Sequence, residues 1–174
     1  KKTYVKRWEH QSPEHTFSVD VKKGGVPVNY IKPERVSYIE EEVMYWRKAN
    51  QIHNWFVKNI QDGEDNCGTY YVDSDMLHKL VDLCKQALEV ISKADVVMTK
   101  IKTGWSSDGT TYEDVATYDC ADEINEILPP TAGFFFGGTE IDNWYKEDLE
   151  NTVKQLSVIL EEEGSGDFYY HSSW

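Results

Sequence analysis

The sequence predicts an α+β fold, about three main helices packed on an antiparallel sheet, within a single domain over residues 1–174. Three observations carry this. Apolar residues recur at helical spacing over 74–92 and 141–162, and they alternate with polar ones over 16–21. Residues 96–118 form two β-rich runs about the reversal Ser107-Asp108-Gly109. The length of 174 residues suits one domain able to bury a core without metal or disulfide staples.

The elements follow in chain order. Thr3 to Trp8 is rich in β-formers. Thr16 to Val21 sets Phe17, Val19 and Val21 on one side, Ser18 and Asp20 on the other. Lys22-Lys23-Gly24-Gly25 is turn chemistry, with Val26 to Ile31 as its hairpin partner and Pro27 where no ladder donor is needed. Pro33 opens the first turn of a long helix carried to about Gln61, where Asp62-Gly63 stops it. A second helix starts after Asp73 or Ser74, either a good cap, and buries Leu77, Leu80, Val81, Leu83, Cys84, Ala87, Leu88 and Ile91. Val96–Thr103 and Thr110–Tyr118 make a hairpin that stands out from the domain.

Cys120 to Ile127 adds a short helix ended by Pro129-Pro130, and Gly133-Phe134-Phe135-Phe136-Gly137 reads as a short apolar strand. The third long helix spans roughly Ile141 to Glu162, with Tyr145, Leu149, Val153, Leu156, Ile159 and Leu160 on one face. Asp167 to Tyr170 reads as a last strand placing Phe168 and Tyr170 together, with Trp174 turned back onto the body or a partner subunit.

Charge and cysteine usage narrow the function classes. The net charge is −13, which argues against duplex nucleic acid as a partner. Residues 1–35 hold eight basic side chains against four acidic ones, which leaves −17 to the rest of the chain. This is either a basic segment docked on an acidic body or a surface with opposite poles. No apolar run reaches the ~18 residues of a membrane span, and no signal-peptide core follows Lys1-Lys2, so the expectation is a cytoplasmic protein without a membrane partner. Cys67, Cys84 and Cys120 are odd in number and lack C-x-x-C spacing, which reads as reduced thiols that pack as small apolar groups.

The most informative pattern lies in the first long helix. Projected at about 100° per residue, Ile39, Val43, Tyr45, Trp46, Ala49, Ile52, Phe56, Val57 and Ile60 share one broad arc, and Asn50 and His53 fall inside it. A buried amide or imidazole without a partner costs about 1–3 kcal/mol. Each must therefore be paired structurally or face a wet cavity, and both are expected to be mostly buried. The functional version is a pocket walled by Trp46, Asn50 and His53 with Arg47 at its mouth. Lys48 and Trp55 fall on the exposed side.

The second pattern is the Gly-rich entry to the last long helix, whose free N–H groups suit an anion. Phe134, Phe136 and Thr139 join Trp46, Arg47, Asn50 and His53 as candidate ligand-binding residues. The spacing is neither G-x-G-x-x-G nor a P-loop, Glu140 and Asp142 repel an anion there, and such glycines usually serve only to turn a strand into a helix. His10, His15 and the acidic loop Asp62–Asn66 lack a recognised ligand spacing, so no metal and no cofactor is expected. No G-x-S-x-G, H-E-x-x-H or oriented Cys–His pair is present.

The stretch Val43-Met44-Tyr45-Trp46-Arg47-Lys48-Ala49-Asn50-Gln51-Ile52-His53-Asn54-Trp55-Phe56-Val57 resembles a family of proteins encoded by bacteriophages and prophages. The likeness continues through Gln61–Cys67, Leu128–Thr131, Gly133–Thr139 and Asp167–Trp174, with Pro130 and Gly138 standing where similar chains often carry other small or polar residues. The resemblance implies expression in a bacterial cytoplasm and brings no catalytic residues with it. Within that setting three classes stand open. One is a binding protein that sequesters a small nucleotide-like signal in counter-defence. Another is an acidic inhibitor that mimics charge against a host defence or nucleic-acid-binding protein. The third is a nucleotide-processing hydrolase using His53, or His10 and His15, as acid–base groups. A homo-oligomer is compatible with each.

Overall fold

A computed structural model describes residues 2–4, 22–23, 26–28, 30, 37–107, 109–132, 138–162 and 167–173. The fold is α+β, with four helices and four two-stranded antiparallel ladders among these residues. The chain divides into two compact units, Lys1–Glu42 and Val43–Trp174.

In the first unit β1 (Lys2–Tyr4) pairs with β4 (Tyr38–Glu40), and β2 (Lys22–Lys23) pairs with β3 (Val26–Pro27). The turn read at Gly24-Gly25 lies outside the described residues. The alternating run 16–21, His10 and His15 lie outside the described residues.

The helix read from Pro33 to Gln61 is corrected by this pairing. Residues 38–40 are strand, residues 41–46 have no regular structure, and α1 covers only Asn50–Asn59. Two physical causes act together. Ladder bonds to β1 hold Tyr38–Glu40 extended, and Lys48 sits at φ 62°, a left-handed conformation that a right-handed helix cannot pass through. Ile39 and Tyr45, which share the helical arc on paper, are accordingly exposed, whereas Ala49, Ile52 and Phe56 keep to the core. Trp55 is also corrected. It is buried rather than exposed, because a helix that starts at Asn50 is covered on more than one side.

The second unit is built on α2 (Ser74–Lys93) and α4 (Asn143–Glu162), packed together with α3 (Ala121–Ile127) against α2. Asp73 caps α2 by accepting from the Asp75 N–H at 2.8 Å, and Asp142 does the same for α4 through Tyr145 N–H at 2.9 Å. The predicted stripe on α2 is the core: Leu77, Leu80, Val81, Cys84, Ala87 and Ile91 are buried, with Leu83 and Leu88 partly so. Burial pushes the Cys84 thiol up to about 12, which makes it an inert packing group. On α4, Tyr145, Leu149, Thr152 and Leu156 are buried. Thr152 is tolerated there because its hydroxyl donates to Asp148 O at 2.7 Å while accepting from the Trp46 indole N–H at 2.9 Å.

The long hairpin is present as β6 (Val96–Ser106) and β7 (Gly109–Tyr118), with a bulge between Lys102 and Gly104. Its base is anchored by a bridge from Thr117 to Asp142 and by Tyr118 N–H on Ile141 O at 2.7 Å. The segment Gly133–Gly137, read as a strand, lies outside the described residues, as does Trp174.

The last strand, β8 (Phe168–His171), pairs antiparallel with β5 (Thr69–Val72). Phe168 and Tyr170 face inward, as alternation requires, and Tyr71 packs edge-on against Tyr169 on the other face. Tyr170 stacks flat on Phe56, ring centroids 3.8 Å apart, and its hydroxyl meets His53 Nδ1 at 2.8 Å. Gln61 departs from the general satisfaction of buried polar groups. It is 1% exposed and neither amide atom has a partner among the described residues; an unpaired buried amide costs about 1–3 kcal/mol.

Tyr170 therefore ties the final strand to α1 by area and by one hydrogen bond. Tyr170→Phe should lower unfolding free energy by about 1 kcal/mol, and Tyr170→Ala by about 3 kcal/mol, in urea titrations followed by far-UV circular dichroism. Equal losses for the two variants would show that the ring stack contributes nothing.

Candidate functional site

α1 begins without a side-chain cap, and its first turn carries amides rather than carboxylates. Asn50, 4% exposed, spends both ends of its amide on backbone. Nδ2 donates to Gly138 O at 2.9 Å, and Oδ1 accepts from Thr131 N–H at 3.0 Å. It thereby brackets residues 131 and 138, which approach the start of α4. Gln51 reaches α4 directly, donating Nε2 to Asp148 Oδ2 at 3.2 Å. These two amides hold the start of α1 beside the start of α4.

Between them lies a cavity of about 440 Å³. Arg47, Lys48, Asn50 and Gln51 line it from the α1 side, with both cations exposed at its mouth. The opposite wall carries the carboxylates of Glu140, Asp142 and Asp148, together with Trp144 and Tyr145. Trp144 is 75% exposed, a large indole left facing water. Tyr145 is buried and donates its hydroxyl to Leu128 O at 2.7 Å, and burial pushes its phenol well above the usual range. The cavity is therefore bipolar: guanidinium and ammonium on one side, carboxylates and an open aromatic ring on the other.

Asp148 is the perturbed group in this wall. Burial disfavours its charge and pushes the carboxyl up to about 6. Repulsion from Asp142 and Glu147 adds to the rise, while the Gln51 hydrogen bond opposes it. Asp142 uses Oδ1 as the cap of α4 and Asp148 uses Oδ2 on Gln51, so each keeps a second oxygen, and with Glu140 they supply the acceptors of this wall.

The candidate residues divide between two places. Arg47 and Asn50 line the cavity. Trp46 and His53 join the aromatic cluster, with Trp46 tilted against Phe56 at 5.6 Å and Tyr170 at 6.4 Å. His53 is mostly buried, 11% exposed in its side chain, and bridges two elements. Nε2 meets Asp65 Oδ1 at 3.0 Å, and Nδ1 meets the Tyr170 hydroxyl at 2.8 Å. In the neutral ring Asp65, an acceptor only, takes the Nε2 proton, which leaves Nδ1 to accept from Tyr170. Burial holds the Tyr170 phenol above its ordinary range, so this chain of groups is a tether and not an activated nucleophile. Thr139 is exposed and apart from the cavity lining. Phe134 and Phe136 lie outside the described residues.

Gln51, Lys48, Trp144 and Asp148 are the residues that sequence reading passed over. A signal for the last two was present, since Trp144 and Asp148 lie four apart on the polar side of the α4 stripe. Among the described residues no group of three or more His, Cys, Asp or Glu side chains is arranged to hold a metal ion, and no helix is long and apolar enough to cross a membrane.

Two outcomes test this geometry. Asn50→Leu removes a donor and an acceptor that satisfy buried backbone, so it should destabilise the fold by about 2–4 kcal/mol in thermal and urea unfolding. Asp148 has a folded pKa above its unfolded value, so the stability it contributes is fully present below pH 4 and is lost as pH rises through about 6. Asp148→Asn should therefore stabilise the protein by about 1–2 kcal/mol at pH 8, discounted for partial solvent screening, with the difference vanishing by pH 4. Melting temperatures across pH 4–8 measure this, and a pH-independent difference would remove Asp148 as the titrating group.

No protein-family model, curated protein or solved structure matches this chain, and the site rests on its own geometry.

Proposed function

We propose that this protein is a binding protein that sequesters a small nucleotide-like ligand, produced from a bacteriophage or prophage and acting against a host defence signal in the bacterial cytoplasm. The observation that supports the reading is the bipolar cavity. Its volume of about 440 Å³ falls in the range of small-molecule sites, ~300–1,000 Å³. Arg47 and Lys48 supply the charge that a phosphate needs, and Arg offers the paired donors that fit it. Trp144 presents an open ring on which a base can stack. Asp148 and Glu140 are acceptors suited to the exocyclic amine of a base. A nucleotide carries these three chemistries on one small molecule. The phage setting rests on the sequence resemblance.

A second reading draws on α3, whose Asp122, Glu123 and Glu126 are all exposed beside exposed Asp119. That acidic ridge supports the alternative of an inhibitor that covers a basic surface of a host protein by charge mimicry.

Calorimetric titration with a panel of mono-, di- and cyclic nucleotides tests the first reading. It is paired with native mass spectrometry of protein purified from cells with and without an active defence system. A retained ligand, or a Kd in the micromolar range or tighter, is expected. Arg47→Glu and Trp144→Ala should each weaken binding at least about 10-fold without changing the melting temperature. The absence of any bound nucleotide, or binding indifferent to both substitutions, would overturn it.

A further inference from the structure

The β6–β7 ribbon presents a face that the described residues of its own unit leave open beyond its base. Val96, Met98, Lys100 and Lys102 alternate onto it from β6, and their register partners Tyr118, Ala116, Asp114 and Tyr112 from β7. Val96 is 64%, Met98 67% and Tyr112 61% exposed. Lys100, Lys102 and Asp114 are exposed too, and Lys100 makes no ion pair with Asp114 although the two sit opposite each other. At the base of this face Ala116 and Tyr118 are half-covered, Tyr118 packing on the core and donating to Asn143 Oδ1 at 2.7 Å. On the reverse face Thr117 is buried, contacting Thr99 hydroxyl to hydroxyl at 2.6 Å, and Ile101 and Val115 are half-covered, while Val97, Thr103, Thr111 and Glu113 are exposed. A two-stranded ribbon with three large apolar side chains on one face in water lacks a layer over that face.

We propose that this face is covered by the same face of a second copy, in a two-fold homodimer whose axis runs along the strands. The charge layout selects that arrangement. The lysines lie in one strand and the carboxylate in the other, so a two-fold axis parallel to the strands sets β6 of each copy over β7 of its partner. At the ~10 Å separation of stacked sheets this brings Lys100 over Asp114 and Lys102 over Tyr112, each twice. The same operation lays Val96 and Met98 on Tyr118 and Ala116. A two-fold axis across the strands instead stacks the lysine rows on each other, at a cost in like-charge repulsion. The apolar residues supply the area, and the Lys–Asp and Lys–Tyr contacts set the register. Four residues per strand make a face smaller than the ~800 Å² per copy of a standard stable interface. The dimer is accordingly weak, with Kd of order 10–100 µM, and it weakens further in salt.

Sedimentation equilibrium over about 10 µM to 1 mM tests this on the full chain. A concentration-dependent monomer–dimer equilibrium is expected. Lys100→Asp and Asp114→Lys should each weaken it about 10-fold or more, because each sets like charges across the interface. The double swap should restore it to within about 3-fold of the starting protein. Met98→Lys should abolish it at unchanged far-UV circular dichroism. A second measurement is independent of variant folding. Carbodiimide cross-linking of mixed light and ¹⁵N-labelled protein should yield a Lys100–Asp114 link of mixed isotope. A monomer at every concentration, a dimer indifferent to the swaps, or a link found only within single chains would overturn the proposal.

Discussion

Much of the second unit depends on the need to satisfy one buried amide. Asn50 is 4% exposed, so its donor and acceptor are largely withdrawn from water. Both are met by backbone 81 and 88 residues away in sequence, at Thr131 and Gly138. Because these bonds are directional and cost a great deal to leave unmade, they set where α1 starts relative to the chain entering α4. The cavity is a consequence. Its two walls are the residues immediately flanking the clamped points, Arg47 and Lys48 on one side and Glu140 to Asp148 on the other.

α1 is short, ten residues, yet its side chains reach in several directions. Gln51 holds Asp148, Asn54 donates to Pro129 O, His53 joins Asp65 to Tyr170, and Phe56 carries the Tyr170 ring. A helix of this length is marginal alone in water, so tertiary contacts must stabilise it. This explains why so many of its polar residues are buried and paired. It also separates two tasks: the His53 side of the helix secures the final strand, while its first turn faces the cavity. The cavity wall is therefore braced from behind, as a binding site requires if its groups are to meet a ligand without reordering.

Much was legible from residue types and spacing. The periodic runs of α2 and α4, the hairpin about Ser107–Gly109 and the final strand were readable because their patterns match a single regular geometry over many residues. Asp73 was visible as a cap, and Pro129-Pro130 as a stop, since their effects are local. Placing Asn50 and His53 on the apolar arc correctly indicated burial, and Arg47 as an exposed cation holds too. The helix before Asn50 was misread because Ile39 and Tyr45 fall within the helical arc by coincidence. That periodicity cannot register a partner strand at residues 2–4 or a left-handed Lys48.

By itself the sequence determined the identity and direction of the long elements, the buried stripes and the excess of negative charge. These depend on neighbours a few residues apart. Only the tertiary structure decided that Asn50 braces backbone, that His53 bridges Asp65 and Tyr170, and that Trp144 and Asp148 face Arg47 across a cavity. Each of those outcomes joins residues from 12 to 117 positions apart in the chain. Hydrogen bonds and charges act over a few ångströms of space, and only folding converts sequence distance into that proximity.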